Sequence, residues 1–540
     1  MDTALLVMII LCIVYIPIWV WVWRCPEQAA RYHLVKYGPT IMIKTQLGIK
    51  TMDKLGKYRR FWLVFGFISK LISVFLFFMM MYMLITAIIS LPSRIGHGGI
   101  GIQYALAIPG FNPMLPLTYG IVALFVAMVV HEMGHGIQSR ANDCKVDSTG
   151  LLYGVVPLGA FCEPNEEQLS KLPRRPQMDI YSAGISVNTF IAVISIALML
   201  LLCSGITPAQ FDQEDASDLP GVYYIDEKSP GFESGIVTSA LVSGIKFYGE
   251  DNYHPVSAVI SSSTISLVSD IEISPLNHYQ LQYLLSDGQY HESGVLQMGA
   301  LIKSVTNNSP ASEAELSTLT FLYSITITSG SDAPVEHFIS NSCDFKDLMN
   351  RTHPGDLAVV KTATITTEGE VQTDEHKQVT LTTGSSGQGY LGISVTDSGL
   401  TFTTPTVMLD SATHPLNNVT SPLNFAENFL RYLSGPINGL DPIPSSITWW
   451  YDAPGGDLTW MSVKMLYWLF WLDILLAISN ALPAYPFDGG FLFEGGINWL
   501  LERLGIKDTE RRGKLSSTIS NTISTITLMM FFLVILAFVI

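Results

Sequence analysis

The stretch Tyr119-Gly-Ile-Val-Ala-Leu-Phe-Val-Ala-Met-Val-Val-His131-Glu132-Met133-Gly134-His135 decides how this chain is read. From Tyr119 to Val130 it carries no charge and is almost wholly apolar. Such a run predicts a helix buried in a bilayer. It closes on two histidines four positions apart, which a helix sets on one face where both imidazoles can hold one metal ion. Glu132, beside the first histidine, is placed to take a proton from a water on that metal. The bland alternative is a pair of helix histidines satisfied by neighbouring polar groups. Ionisable groups at membrane depth are costly, and their place at the end of an apolar span argues for a functional site.

Working outward, the 540 residues are 48% hydrophobic and only 14% charged, with a mean hydropathy of +0.34. That is too apolar for an ordinary soluble protein and too long for one domain. Six runs can cross about 30 Å of hydrocarbon, at 4–23, 71–91, 118–137, 180–203, 465–482 and 516–540. The fifth contains Asp473, a carboxylate whose role the sequence does not assign. The first has Asp2 and no basic residue ahead of it, which reads as a signal anchor rather than a cleavable signal peptide.

Lysine and arginine suggest the orientation. Residues 24–70 carry ten, 138–177 and 483–514 carry five each, and 92–117 carries only Arg94. Basic segments stay cytoplasmic, so both termini and the block 205–460 are expected outside, with His131–His135 toward the cytoplasm. The outer block holds 30 Asp and Glu against eight Lys and Arg, a balance of −22 against +6 for the rest. An acidic face of this kind argues against nucleic acid as a partner. Of six cysteines only Cys343 lies well inside the block, so no disulfide framework is expected there.

The expected organisation begins with 1–117, two accessory spans and a basic loop, followed by 118–204, the first half of a membrane core. A β-rich extracytoplasmic segment follows at 205–295, then a PDZ-like domain at 296–400. A linker with interfacial tryptophans covers 401–460, and 461–540 completes the core. The PDZ likeness rests on short β-branched runs and on a repeated pattern. Val222-Tyr-Tyr-Ile-Asp-Glu-Lys-Ser-Pro resembles Ile302-Lys-Ser-Val-Thr-Asn-Asn-Ser-Pro, so 205–295 reads as a possible diverged second copy.

A catalytic zinc needs a third protein ligand and an open position for water. Position 141, where a third histidine would fall, is Ala, and Glu163, Glu166 and Glu167 sit in a loop bearing Pro164. That leaves a distant Asp, of which the strongest candidate is Asp488, in Asn480-Ala-Leu-Pro-Ala-Tyr-Pro-Phe-Asp488-Gly489-Gly490. Here two prolines break an apolar span and two glycines permit close backbone approach. Read alone, Asp488 could equally be a turn residue capping its own backbone.

Together these blocks resemble the site-2 protease family of intramembrane zinc metalloproteases, of the archaeal type with a PDZ-like insert. His131 to His135 matches its first motif and Asn480 to Gly490 its second, with Phe487 where the family often has Leu. Ala183-Gly184-Ile-Ser-Val-Asn188 matches an Ala-Gly-x-x-x-Asn block, and Pro157-Leu-Gly159-Ala-Phe-Cys-Glu163 a hairpin dipping into the membrane. The resemblance implies one Zn2+ per chain on His131, His135 and Asp488, with Glu132 as general base. It implies substrate contacts for Asn480, Asn188, Pro157 and Gly159, although helix packing is an equal role for Asn188. The hairpin would pair with a locally unwound substrate helix. The implied substrates are single-span membrane proteins cut within the lipid bilayer, as in regulated intramembrane proteolysis.

The expected fold class is thus a polytopic α-helical membrane protein of about six spans, with a four-span protease core and a β-rich, PDZ-like extracytoplasmic insert. The competing reading is a catalytically silent membrane scaffold whose PDZ-like block binds partners. An intact Glu132 argues against it, because a scaffold has no need of a base beside its metal ligands. A transporter would show repeated spans, and none is evident.

Overall fold

The long apolar runs fold as helices, since in hydrocarbon a helix satisfies every backbone N–H and C=O within one segment. The computed structural model describes residues 3–91, 103, 109, 111–154, 157–211, 214–261, 264–269, 276–365, 371–384, 387–414, 419, 421–438 and 441–536. Arg94, on which the expected outer loop was judged, lies outside them. Two units emerge, one of Met1–Cys203, Leu430–Pro442 and Leu458–Ile540, the other of Ser204–Phe429 and Ile443–Asp457.

The first unit is built on α1 (Thr3–Arg24), α2 (Arg59–Ser90), α3 (Leu117–Ala141), α4 (Arg174–Cys203), α5 (Asp457–Asn480), α6 (Asp488–Arg503) and α7 (Thr509–Leu536). Five of these, α2, α3, α4, α5 and α7, are long and apolar enough to cross a membrane. They expose large apolar side chains such as Phe75, Phe78, Ile121, Val193 and Phe532, a surface suited to lipid.

Four helices begin six residues or more ahead of their apolar runs, α7 at Thr509 rather than 516 among them; the other three share one cause. The runs were expected from residues 71, 180 and 465, whereas α2 starts at Arg59, α4 at Arg174 and α5 at Asp457. In each case a charged residue had cut the run short, namely Lys70, Asp179 and Lys464. All three stand in ion pairs, with Asp179 and Lys464 buried and Lys70 half-buried. Lys70 pairs with Asp179, and Lys464 lies 3.6 Å from Asp441. Lys70 is therefore not a loop charge, as the count over 24–70 had taken it to be.

Beside the helices runs an antiparallel sheet in the order β1 (Leu34–Tyr37), β2 (Thr40–Thr45), β3 (Val146–Tyr153) and β4 (Pro157–Pro164). Its first two strands come from the segment between α1 and α2, and β2 pairs with β3 from Ile41–Tyr153 to Thr45–Thr149. The Tyr15 hydroxyl of α1 donates to Pro39 O at 3.0 Å. The N-terminal segment is thus part of the sheet that carries the β3–β4 hairpin. At the far end β4 is an edge strand.

The second unit is β-rich. Its main sheet runs through β5 (Gly221–Ile225), β6 (Leu241–Phe247), β7 (His254–Ser261), β8 (Thr264–Ser269), β9 (Ala300–Val305), β10 (Phe321–Thr328), β11 (Leu357–Ile365), β12 (Val371–Glu375), β13 (Ile393–Asp397) and β14 (Leu400–Thr403). The order across the sheet is β8-β7-β6-β5-β14-β13-β9-β10-β11-β12. An internal duplication is written into its hydrogen bonds at a spacing of 80 residues. Val222 N donates to Ala240 O and Ile302 N to Thr320 O, at 2.8 and 2.9 Å. Ser229 caps the helix Pro230–Glu233 as Ser309 caps Pro310–Glu313. Asp226 N reaches Gly399 O where Thr306 N reaches Gly392 O, both at 2.8 Å. Each repeat has its own apolar core, one around Val222, Ile245, Leu281 and Phe402, the other around Ile302, Leu322, Ile325 and Val360.

Candidate metal centre

Helix α3 delivers both histidines of the opening motif to one point. His131 Nε2 and His135 Nε2 lie 3.2 Å apart. Asp488 Oδ2 approaches them at 3.1 and 3.2 Å respectively. All three side chains are largely buried, and no other group of three or more such side chains gathers this closely among the described residues.

Ligand atoms about 2.0–2.2 Å from a tetrahedral zinc stand roughly 3.3–3.5 Å from one another. The observed triangle lies within a few tenths of an ångström of that. Two imidazole nitrogens and one carboxylate oxygen, with the fourth direction left open, form a donor set suited to catalytic zinc. The residues present therefore fit the metal.

The backbone around the triangle explains how three ligands converge. His135 is oriented from behind, because its Nδ1 meets the Ile180 carbonyl of α4 at 2.8 Å and Nε2 is thereby turned toward Asp488. His131 Nδ1 has no partner among the described residues. Asp488 stands in the first turn of α6, where the helix dipole favours a negative side chain. The turn before it is folded tightly. A Cβ on Gly490 would sit 2.8 Å from the Ala484 carbonyl carbon, and Gly489 lies against the carbonyls of Ala481 and Leu482. Ser524 of α7 accepts from Tyr485 N at 2.9 Å and fixes the same turn.

Gly184 of α4 faces the ligands directly, since a Cβ there would lie 2.7 Å from His131 Nε2. Asn188, one turn further along that face, is fully buried, and neither of its amide atoms has a partner among the described residues. Asn480 donates to Leu476 O of its own helix at 3.0 Å. Gly159 and Pro157 belong to β4, and none of the described residues stands within 4 Å of where a Cβ on Gly159 would lie.

Glu132 sits one residue from the ligands and is tied to the sheet. Its Oε2 accepts the backbone N–H of Cys162 at 2.8 Å. That N–H points away from β3, so β4 turns its open edge toward α3. By the alternation of an antiparallel pair, Ala160 presents its backbone to the same edge. Neither this bond nor the Lys70–Asp179 pair behind Ile180 was foreseen from the sequence. The isolated charges in two apolar runs were the available signal for the second. Asp473 is completely buried in α5, and neither carboxylate oxygen has a partner among the described residues.

Comparison with known proteins adds two findings. Residues 119–531 match the model of peptidase family M50. An uncharacterized protein of Methanocaldococcus jannaschii is 34% identical over 202 residues, which is 37% of this chain and 52% of that protein. The chain therefore spans about half the length of this curated relative.

Proposed function

Given that the chain belongs to peptidase family M50, the site-2 protease family of zinc metalloproteases, we propose that it is an intramembrane endopeptidase acting on single-span membrane proteins within the lipid bilayer. The observation that carries this reading is the triangle of His131, His135 and Asp488 with Glu132 beside it, both histidines and the glutamate standing on a helix apolar enough to cross a membrane.

His131, His135 and Asp488 would hold one zinc ion per chain. When bound, zinc supplies Lewis acidity toward the scissile carbonyl and lowers the pKa of a water. Glu132 takes the proton from that water and passes it to the leaving amine. Its hydrogen bond from Cys162 N fixes one carboxylate oxygen and leaves the other for the proton. Asn188 is preorganised to donate to the oxyanion, since its amide is buried without a competing partner among the described residues.

A substrate helix must unwind before its carbonyls can be attacked, because the helical ladder occupies them. The open edge of β4 offers the unwound segment replacement hydrogen bonds by strand addition. That edge ends at the base, so a segment paired beside Gly159 and Ala160 is led toward the metal ligands. The duplicated β unit serves substrate selection as a pair of PDZ-like modules. The cytoplasmic side is the one bearing the basic segments and the ligand end of α3.

The test is cleavage of a single-span reporter by purified protein, comparing the native chain with Glu132→Gln. Loss of general-base catalysis lowers the rate by about 10²–10⁴-fold, with zinc content unchanged. Equal cleavage by both proteins would overturn the assignment of Glu132.

A further inference from the structure

The metal ligands come from α3 and α6, yet a helix that precedes the matched family region also reaches both α3 and α4. Helix α2 ends at Ser90, and the match begins at residue 119. One face of α2 is docked on both neighbours by buried polar contacts. Gln138 Nε2, one turn past His135, donates to Trp62 O at 3.1 Å. Ser186 of α4 donates to Ser69 O at 3.2 Å. Between these two contacts Lys70 pairs with Asp179, whose side chain is only 3% exposed. Gly66 permits the approach, because a Cβ there would stand 2.6 Å from Gln138 Nε2 and 2.7 Å from Asp179 Cγ.

Asp179 directly precedes Ile180, the residue whose carbonyl holds His135 Nδ1. A ligating histidine depends on the acceptor behind it for its tautomer and its ring angle. His131 has no such acceptor among the described residues, so the burden of orientation falls on His135. Charges at membrane depth are costly, and a cation and an anion held together there are retained for a task. Packing alone does not require them, since apolar residues of similar volume commonly replace a buried pair without loss of stability.

We propose that Lys70 is a positioning residue of the metal centre. By clamping Asp179 it sets the Ile180 carbonyl, and through it the angle at which His135 meets the metal. The second membrane helix is then a working part of the protease rather than an accessory. This rests on the zinc-centre reading above, and its test separates the two.

The experiment uses purified full-length protein. Zinc affinity is measured by chelator competition, and the visible absorption of the cobalt-substituted protein reports ligand geometry. Lys70→Met is expected to weaken zinc binding by about 10–100-fold and to shift the cobalt bands, while Lys70→Arg retains both. Lys70→Met with Asp179→Leu leaves no lone buried charge, and so decides the matter should the single variant fail to fold. It is expected to keep its fold and still lose at least about tenfold in affinity. Native affinity and an unchanged cobalt spectrum in the double variant would overturn the proposal. Absence of zinc binding by the native protein would instead overturn the metal-centre reading, and this one with it.

Discussion

Gly184 has no room for even a methyl group, because the two histidine rings occupy the space its Cβ would need. Gly184→Ala should push His131 and His135 off Asp488 and weaken zinc binding by about tenfold or more. Chelator competition checks this, and unchanged affinity would mean the rings can retreat freely. In the β-rich unit, Asp397 presents another residue-scale case. Burial pushes its carboxyl up to about 6, although Ser342 N donates to it at 2.6 Å and the hydroxyls of Ser266 and Ser342 lower it in part. Half-buried Asp344 is the charge nearby that adds to the rise. A raised folded value means the folded state holds the proton more tightly than the unfolded chain. Its stabilising contribution is complete below about 4, the ordinary aspartate value, and is lost as pH rises through about 6. Asp397→Asn should therefore raise the melting temperature of this unit at pH 7 and flatten its change between about pH 4 and 6. Identical melting curves at pH 7 would contradict the argument.

At the scale of the element, β4 combines two properties that seldom coexist in a stable fold. It is an open edge, and one N–H on that edge, of Cys162, already donates to the Glu132 carboxylate. Ala160→Pro removes one outward N–H while leaving the β3 ladder intact. Cleavage of a helical reporter should fall steeply with zinc content unchanged, and an undiminished rate would exclude strand addition at this edge. The membrane elements also show what a sequence pattern reveals and what it conceals. The convergence of His131 and His135 was legible because their spacing on one helix carries the chemistry, whereas Asp488, a turn residue when read alone, joined them only through the family resemblance. The starts of α2 and α4 were not legible, since hydropathy treats Lys70 and Asp179 as boundaries. Their partnership spans 109 positions and no local window contains it. The tie between Glu132 and Cys162 escaped for a similar reason, being a side chain to a backbone N–H with no residue type to betray it.

For the whole molecule, the charge separation between loops and insert predicts a topology. Tyr248 is 87% exposed in the acidic β-rich block, and Lys507 lies in the basic turn between α6 and α7. Cysteines placed at these two positions in a cysteine-free background should react with an impermeant reagent from opposite faces of the membrane. Labelling of both from one face would reject the orientation. The duplication of the β unit was partly legible, since the two Ser-Pro segments announce it. The sharing of strands between the copies was not, because β13 and β14 follow both copies in the chain.

That sharing has a further consequence. The hairpin β13–β14 gives one strand to each repeat, β14 to β5 and β13 to β9, and the carbonyls of Leu391, Gly392, Ser398 and Gly399 receive matching N–H groups from both. Neither copy owns a complete set of strands until the last ten or so residues of the pair have been synthesised. The two repeats, joined by a common final piece, are therefore expected to melt in a single step and to resist being separated by truncation between them.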